Sequence, residues 1–114
     1  MTREIGLQAL RARLRSANAR VLLEALPAKY YDDWHLPGAR HMPHDQVREL
    51  AALLVPDKRA PVVVYCASAT CRNSHVAASV LAQLGYEDVA VFAGGKRAWS
   101  EAGLPVERKA VRAA

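Results

Sequence analysis

The sequence predicts an α/β domain built on a central, largely parallel sheet. Short apolar runs typical of strands alternate along the chain with segments whose apolar residues recur at helical spacing. The run Val62–Tyr65 contains no alternating polar residue, which is typical of a strand that is covered on both faces of a parallel sheet. Glycine and proline mark most changes from one kind of segment to the other. With 114 residues, the chain is long enough to bury a core of its own.

The first elements follow from these patterns. An amphipathic helix is predicted over residues 1–18, where Ile5 and Leu10 belong to an apolar stripe and arginines fill the other side. Residues 20–24 are a strand candidate. Pro27 then opens a short helix, because proline is favoured in the first turn, and the segment 36–38 ends it.

The middle of the chain continues the alternation. Residues 42–43 close a brief extended piece, and Asp45 is predicted to cap the next helix, which Pro56 ends. After the central strand, a helix is expected from Ser74. Gly85 stops it, since glycine is favoured just past a helix C-terminus.

The last elements are a strand at Val89–Phe92 and a helix that ends near Gly103. The glycine pair at 94–95 is too short for a nucleotide-binding loop and is interpreted as a tight turn that lets this helix approach the loop after the central strand. We therefore predict a single domain over residues 1–107 and a basic C-terminal tail over residues 108–114.

Composition narrows the classes of protein. Hydrophobic residues make up 52% of the chain and charged residues 24%, which is typical of a globular domain. The net charge of +5 is spread along the chain without interleaved aromatic residues, so nucleic-acid binding is not favoured. No apolar run approaches the roughly 20 residues of a membrane span, and no secretory leader is visible. We expect a cytoplasmic protein, monomeric or weakly dimeric, that binds neither nucleic acid nor membrane.

Cys66 is the strongest candidate for a catalytic residue, because it lies where the central strand ends and a loop of small residues begins. Loop amides and the positive end of the following helix can surround an anion there. The same groups are expected to favour the thiolate of Cys66. The candidate anion-binding loop consists of Ala67, Ser68, Ala69, Thr70, Cys71 and Arg72.

Several roles within this loop stay open at the sequence level. Cys71 is either loop filler, a resolving thiol that pairs with Cys66, or a second sulfur carrier. Arg72 either binds an anion in the pocket or is a surface charge, and the hydroxyls of Ser68 and Thr70 either donate to the site or satisfy the loop backbone.

We expect neither a metal nor an organic cofactor. Three histidines, His35, His41 and His44, occur near Asp45 around a proline-bounded turn. A zinc site needs three or four ligands in a fixed geometry, and this spacing does not favour one.

Three segments together resemble the rhodanese-like domain family: WHLPGA at residues 34–39, VVVYC at 62–66 with its loop, and FAGG at 92–95 followed by Trp99. AGLPV at 102–106 also fits. The resemblance implies a three-layer α/β/α fold around a five-stranded, largely parallel sheet. It implies a sulfurtransferase that moves a sulfane sulfur from thiosulfate or a persulfide, through a persulfide on Cys66, to a small thiol or a protein cysteine. It also implies a structural hydrogen-bonding role for His35.

Two departures from the family pattern keep other functions in view. The loop lacks the usual glycine, and Arg72 lies at the end of a C-x5-R pattern that phosphatases and arsenate reductases use for oxyanions. Glu24 replaces the usual aspartate of an Asp-x-Arg motif and, if buried, needs another partner. The alternatives are therefore a C-x5-R oxyanion enzyme, or a non-catalytic module that binds a partner or senses oxidants through Cys66 and Cys71.

Overall fold

A computed structural model describes residues 3–16 and 21–108 of the chain. Five strands form one sheet in the order β1-β5-β4-β2-β3, and every neighbouring pair is parallel. The strands are β1 (Arg3–Ile5), β2 (Val21–Glu24), β3 (Arg40–His41), β4 (Val62–Tyr65) and β5 (Val89–Phe92). The helices are α1 (Leu7–Arg15), α2 (Ala28–Asp33), α3 (Val47–Leu54), α4 (Asn73–Gln83) and α5 (Gly95–Glu101).

Strand β4 lies at the centre of the sheet and is buried over its whole length. Because side chains alternate between the two faces of a strand, Val62 and Val64 pack under α3 and α4, whereas Val63 and Tyr65 pack against α1, α5 and the segment around Leu36. The sheet is thus covered by helices on both faces. The α/β/α fold with a five-stranded parallel sheet, which the sequence and the family resemblance predicted, is confirmed.

The N-terminal element differs from the prediction. Residues 3–5 form β1 and pair with β5 at the sheet edge, and α1 begins only at Leu7. Ile5 fits a helical stripe in the sequence, but its register opposite Phe92 places it in the sheet. The predicted end of this helix at residues 17–18 lies outside the described residues, as do residues 109–114 of the predicted tail.

Two boundaries in the middle of the chain also differ. Strand β3 ends at His41, and the Met42 amide still donates to the Glu24 carbonyl, but Pro43 has no N–H to continue the pairing. Gln46, not Asp45, takes the N-cap position of α3 and provides no side-chain capping bond. The Gln46 amide donates to the Pro43 carbonyl, so Asp45 lies in the turn before the helix.

The C-terminus of α4 follows the prediction. Gly85 has a φ of +97°, a left-handed conformation that glycine adopts without a Cβ penalty, and its amide donates to the Ala82 carbonyl. Within residues 3–16 and 21–108, none of the helices combines the length and hydropathy needed to cross a membrane.

Candidate active site

Cys66 lies at the carboxyl end of β4, and only 1% of the residue is exposed. Its backbone is fixed from the side of α5: the Lys96 amide donates to the Cys66 carbonyl at 2.9 Å, and the Arg97 amide donates to the Ala67 carbonyl at 2.9 Å. These two bonds join the first turn of α5 to the start of the loop, so the direction in which the loop leaves the sheet is set by a helix that follows it in sequence.

Gly95 makes this close approach possible. It has a φ of +59°, and a Cβ built on it would lie 2.3 Å from the Cys66 carbonyl oxygen. Any side chain at this position would collide with loop backbone. The prediction that the glycine pair lets the helix approach the loop is confirmed.

Three oxygen atoms lie near the Cys66 sulfur. Its S–H faces the Cys71 carbonyl oxygen at 3.3 Å and the Ser68 carbonyl oxygen at 4.0 Å, and the Ser74 Oγ lies 3.3 Å away. Ser74 is itself 1% exposed and belongs to the first turn of α4. The sequence predicts that this helix starts at Ser74, whereas α4 starts at Asn73 with Arg72 at its N-cap, and the Ser74 hydroxyl faces the sulfur.

The pKa of the Cys66 thiol is raised, contrary to the predicted thiolate. Burial is the largest cause and the hydrogen bond with the Cys71 side chain adds to it, whereas the hydroxyl and amide of Ser74 lower the pKa without overcoming them. Two loop carbonyls face the sulfur, and a carbonyl oxygen accepts a hydrogen bond from the thiol but does not stabilise the thiolate. The surroundings of Cys66 therefore favour the thiol over the thiolate.

The pKa of Cys71 moves in the opposite direction. Burial raises it, but hydrogen bonds from the Cys66 side chain and from the amides of Ala67 and Asn73 outweigh burial, so the pKa is lowered. Cys71 is half-buried. It is consequently the first of the two thiols to ionise, and loop amides that were expected to stabilise charge on Cys66 stabilise it on Cys71.

The outer part of the loop, residues 68–70, is called here the loop tip. The hydroxyls of Ser68 and Thr70 lie 3.1 Å apart and bond to each other. Among the described residues, the amides of Ser68, Ala69 and Thr70 donate to no backbone carbonyl, so they remain available to a bound anion. The role of the loop as an anion site remains a prediction.

Arg72 follows the loop tip and is exposed at the N-cap of α4. In this position a guanidinium is unfavourable next to the positive end of the helix unless an anion binds there. Its role as an anion clamp also remains a prediction.

Beneath Cys66 lies a group that we call the buried charge cluster: Glu24, Tyr65 and Lys96. Glu24 is fully buried, and its Oε2 accepts a hydrogen bond from the Tyr65 hydroxyl at 2.8 Å and lies 3.5 Å from the Lys96 Nζ. Burial raises the pKa of Glu24 and lowers that of Lys96. The Lys96 Nζ also donates to the Tyr30 carbonyl at 2.6 Å and lies 4.7 Å from the centre of the Trp34 ring.

Lys96 is the functional residue that sequence reasoning missed. It was expected only as part of a helix after two glycines, where a lysine is usually solvated. In the structure its side chain pairs with Glu24 while its amide holds the Cys66 carbonyl. The only sequence signal was Glu24 itself, which was expected to need a partner if buried.

The histidines have local roles. His35 is buried, its Nδ1 lies 2.8 Å from the Tyr31 carbonyl, and its ring stacks on that of Tyr31. The His41 Nε2 lies 2.6 Å from the Leu26 carbonyl. Across residues 3–16 and 21–108, no three His, Cys, Asp or Glu side chains come together as a group that could hold a metal ion.

Comparisons with known proteins relate this site to a family. The family model described as Rhodanese-like domain matches residues 7–102. Thiosulfate sulfurtransferase PspE from Escherichia coli (strain K12) is 38% identical over 64 residues, which cover 56% of this chain and 59% of that protein. The HTH-type transcriptional regulator Rv0324 from Mycobacterium tuberculosis (strain ATCC 25618 / H37Rv) is 32% identical over 98 residues, covering 86% of this chain and 42% of the regulator.

A solved structure supports the same relationship. The structure described as rhodanese with anions from E. coli has 31% sequence identity and a TM-score of 0.67, and the match covers 79% of this chain and 99% of that one. The chain spans less than two thirds of the length of the two curated relatives, at 59% and 42%. The likeness therefore concerns the domain.

Proposed function

The chain belongs to the rhodanese-like domain family, and from that premise we propose that it is a sulfurtransferase that carries a sulfane sulfur as a persulfide on Cys66. The observation that carries the proposal is the position of the Cys66 sulfur, at the end of the central strand and 3.3 Å from the buried Ser74 hydroxyl. PspE, which shares part of this sequence, is named as a thiosulfate sulfurtransferase.

The first half-reaction loads the sulfur. Cys66 attacks the outer sulfur of thiosulfate, a new S–S bond forms, the S–S bond of thiosulfate breaks, and sulfite leaves with the electron pair. Cys66 must lose its proton as it attacks. That proton passes to solvent.

The free amides of the loop tip would bind the anionic donor. Amides aimed at a developing charge stabilise it without reorganisation, and the described chain uses none of the amides of residues 68–70 for bonds to backbone carbonyls. A structural relative is described as rhodanese with anions, which agrees with an anion-binding loop. In the second half-reaction, an external acceptor attacks the outer sulfur and Cys66 returns to the thiol.

Release of sulfite tests the proposal directly. We expect the reduced protein to release sulfite from thiosulfate and, when cyanide is the acceptor, to form thiocyanate at many turnovers per chain. Cys66→Ser should do neither. The Ser79→Ala variant, which changes an exposed serine on α4, serves as a matched control and should retain both activities.

The opposite result would assign the chain to another class. Sulfite release no greater than that of Cys66→Ser, with thiosulfate and with a small persulfide as donors, would overturn the transferase proposal. Hydrolysis of an aryl phosphate that depends on Cys66 would then favour the C-x5-R oxyanion enzyme. Loss of both activities would leave a non-catalytic partner-binding or redox-sensing module.

A further inference from the structure

The loop after β4 places a second cysteine, Cys71, next to Cys66. The Cys71 amide donates to the Ser68 carbonyl at 3.1 Å, which closes a turn, and the Cys71 carbonyl oxygen then lies 3.3 Å from the Cys66 sulfur. Hydrogen bonding with the amide of Ala67, the residue next to Cys66, lowers the pKa of the Cys71 thiol. Cys66 and Cys71 thus lie at the two ends of one small turn of backbone.

The two thiols differ in exposure and in charge. Cys66 is 1% exposed, whereas Cys71 is half-buried and can exchange protons with solvent. Burial raises the pKa of Cys71, but hydrogen bonds from Cys66, Ala67 and Asn73 reverse this and lower it. Cys71 is therefore the better prepared of the two to act as a nucleophile within the loop.

We propose that Cys71 attacks the inner sulfur of the Cys66 persulfide, releases hydrosulfide, and closes a Cys66–Cys71 disulfide. This step rests on the proposed function, which supplies the persulfide. The bond between the Cys66 Sγ and the outer sulfur breaks, and the outer sulfur leaves with the electron pair as hydrosulfide. The Sγ–Sγ bond forms in its place, so the sulfane sulfur is reduced to sulfide while the two cysteines are oxidised.

Loading of Cys66 itself prepares this attack. The unmodified Cys66 thiol donates its proton towards the Cys71 carbonyl and interacts with the Cys71 sulfur. A persulfide has no proton on the inner sulfur, so the Cys71 sulfur no longer shares a hydrogen bond with the atom that it attacks once Cys66 is loaded. The Cys71 thiol passes its proton to the outer sulfur of the persulfide anion as it attacks, so that the outer sulfur leaves as hydrosulfide. Hydrosulfide is a good leaving group because hydrogen sulfide is a stronger acid than an alkyl thiol, and a leaving group of lower pKa departs faster.

External thiols compete poorly with Cys71 for attack on the inner sulfur of the persulfide. Because Cys66 is almost fully buried, an external thiol reaches the outer sulfur more readily, and only a group inside the loop is held next to the inner one. When no abundant sulfur acceptor is present, each chain therefore converts one sulfane sulfur into sulfide and then stops. A dithiol reductant must then open the disulfide before the next turnover.

A single-turnover experiment tests this step. The fully reduced protein receives thiosulfate with no thiol and no cyanide present, and sulfite, sulfide and intact mass are followed together after acid quenching. For the wild type we expect about one sulfite and about one sulfide per chain, with loss of two hydrogens from the protein. Cys71→Ser should release sulfite, gain the mass of one sulfur atom on Cys66, and yield at least about tenfold less sulfide.

A variant with its second thiol at another site tests whether the position of Cys71 matters, or only the presence of two thiols. The double variant Cys71→Ser with Ser79→Cys keeps two thiols but moves one to the exposed face of α4, and it should behave like Cys71→Ser. Cys71→Ala provides a second version of the loop variant in case the serine alters folding. Equal sulfide release from wild type and both Cys71 variants would overturn the proposal.

The outcomes distinguish this step from the function on which it rests. Sulfite release by the wild type together with a stable persulfide, no sulfide and no disulfide would overturn the Cys71 step and leave the sulfurtransferase intact. No sulfite from any variant or from the wild type would overturn the sulfurtransferase and this step together.

Discussion

Two regions meet at Cys66, and they differ in burial and in how many of their polar groups are bonded. Below the residue lies the buried charge cluster, where Glu24 is 0% and Lys96 7% exposed. The Tyr65 hydroxyl and the Lys96 Nζ both contact the Glu24 Oε2, whereas the Glu24 Oε1 is buried without a hydrogen-bond partner among the described residues. Above Cys66 lies the loop tip, where Ala69 and Thr70 are exposed and three amides have no backbone partner among the described residues. The lower region fixes the position of the cysteine, whereas the upper region is where we propose that the donor anion binds. Substitutions below should therefore act on stability, and substitutions above on chemistry.

Breaking the buried charge cluster should have the largest effect on stability. Lys96→Met leaves the buried Glu24 carboxyl without its cation, and we expect the free energy of unfolding to fall by about 3 to 5 kcal/mol. Urea denaturation followed by circular dichroism measures this. The double variant Glu24→Gln with Lys96→Met removes both charges and should recover most of the loss. A single variant as stable as the wild type would show that the pair does not support the site.

Adding a side chain between α5 and the loop should have the next largest effect on stability. Gly95→Ala places a Cβ against the Cys66 carbonyl and also forces alanine into a left-handed conformation, so we expect a loss of about 3 kcal/mol. Gly103→Ala is a matched control, because Gly103 has a φ of +70° with no atom near a new Cβ. It should lose only about 1 kcal/mol. Equal losses in thermal unfolding would contradict the close approach.

Removing the hydroxyl beside the sulfur should have a smaller effect, on activity alone. Ser74 lowers the pKa of Cys66, so Ser74→Ala should raise that pKa further. Sulfur uptake requires the thiolate and increases as pH rises through this pKa, and the increase should therefore occur at higher pH in the variant. At neutral pH we expect a roughly tenfold slower release of sulfite, corresponding to one hydrogen bond of about 1 kcal/mol or slightly more.

The pH profile distinguishes this effect from a loss of packing. The rates of Ser74→Ala and wild type should converge at alkaline pH, where both are ionised. Ser79→Ala should show the wild-type profile throughout. A uniformly slower Ser74→Ala at every pH would point to a structural defect instead.

The loop tip should give the smallest effect. Ser68 and Thr70 bond to each other at 3.1 Å on an exposed surface, and in the part of the chain that the structure describes neither hydroxyl bonds to the Cys66 sulfur. We expect Ser68→Ala and Thr70→Ala to change stability by less than about 0.5 kcal/mol and to leave sulfite release within about twofold of wild type. A large loss of activity in either variant would mean that the hydroxyls, and not only the amides, bind the donor.

The sequence predicts well what depends on local pattern. The run Val62–Tyr65 identified the central strand because a strand covered on both faces has no place for polar residues. The glycine pair before α5 marked a close approach because few other residues tolerate one. The position of Cys66 followed from both.

What the sequence could not show depends on distant residues. Strand β1 is three residues long and gains its structure from pairing with β5, so no local pattern marks it. Lys96 becomes a buried residue only because Glu24, at the end of β2, lies opposite it. The pKa order of Cys66 and Cys71 depends on which loop amides face which sulfur, and residue spacing does not determine that.

The bonds between α5 and the loop also have a consequence for the order of events during synthesis. The chain is made from its N-terminus, so Cys66 and all of its loop leave the ribosome before Lys96 and Arg97, whose amides hold the Cys66 and Ala67 carbonyls. Until α5 docks, these two bonds cannot form. The final direction of the loop therefore depends on a helix that is made after it, and the proposed sulfur chemistry should begin only once α5 is in place.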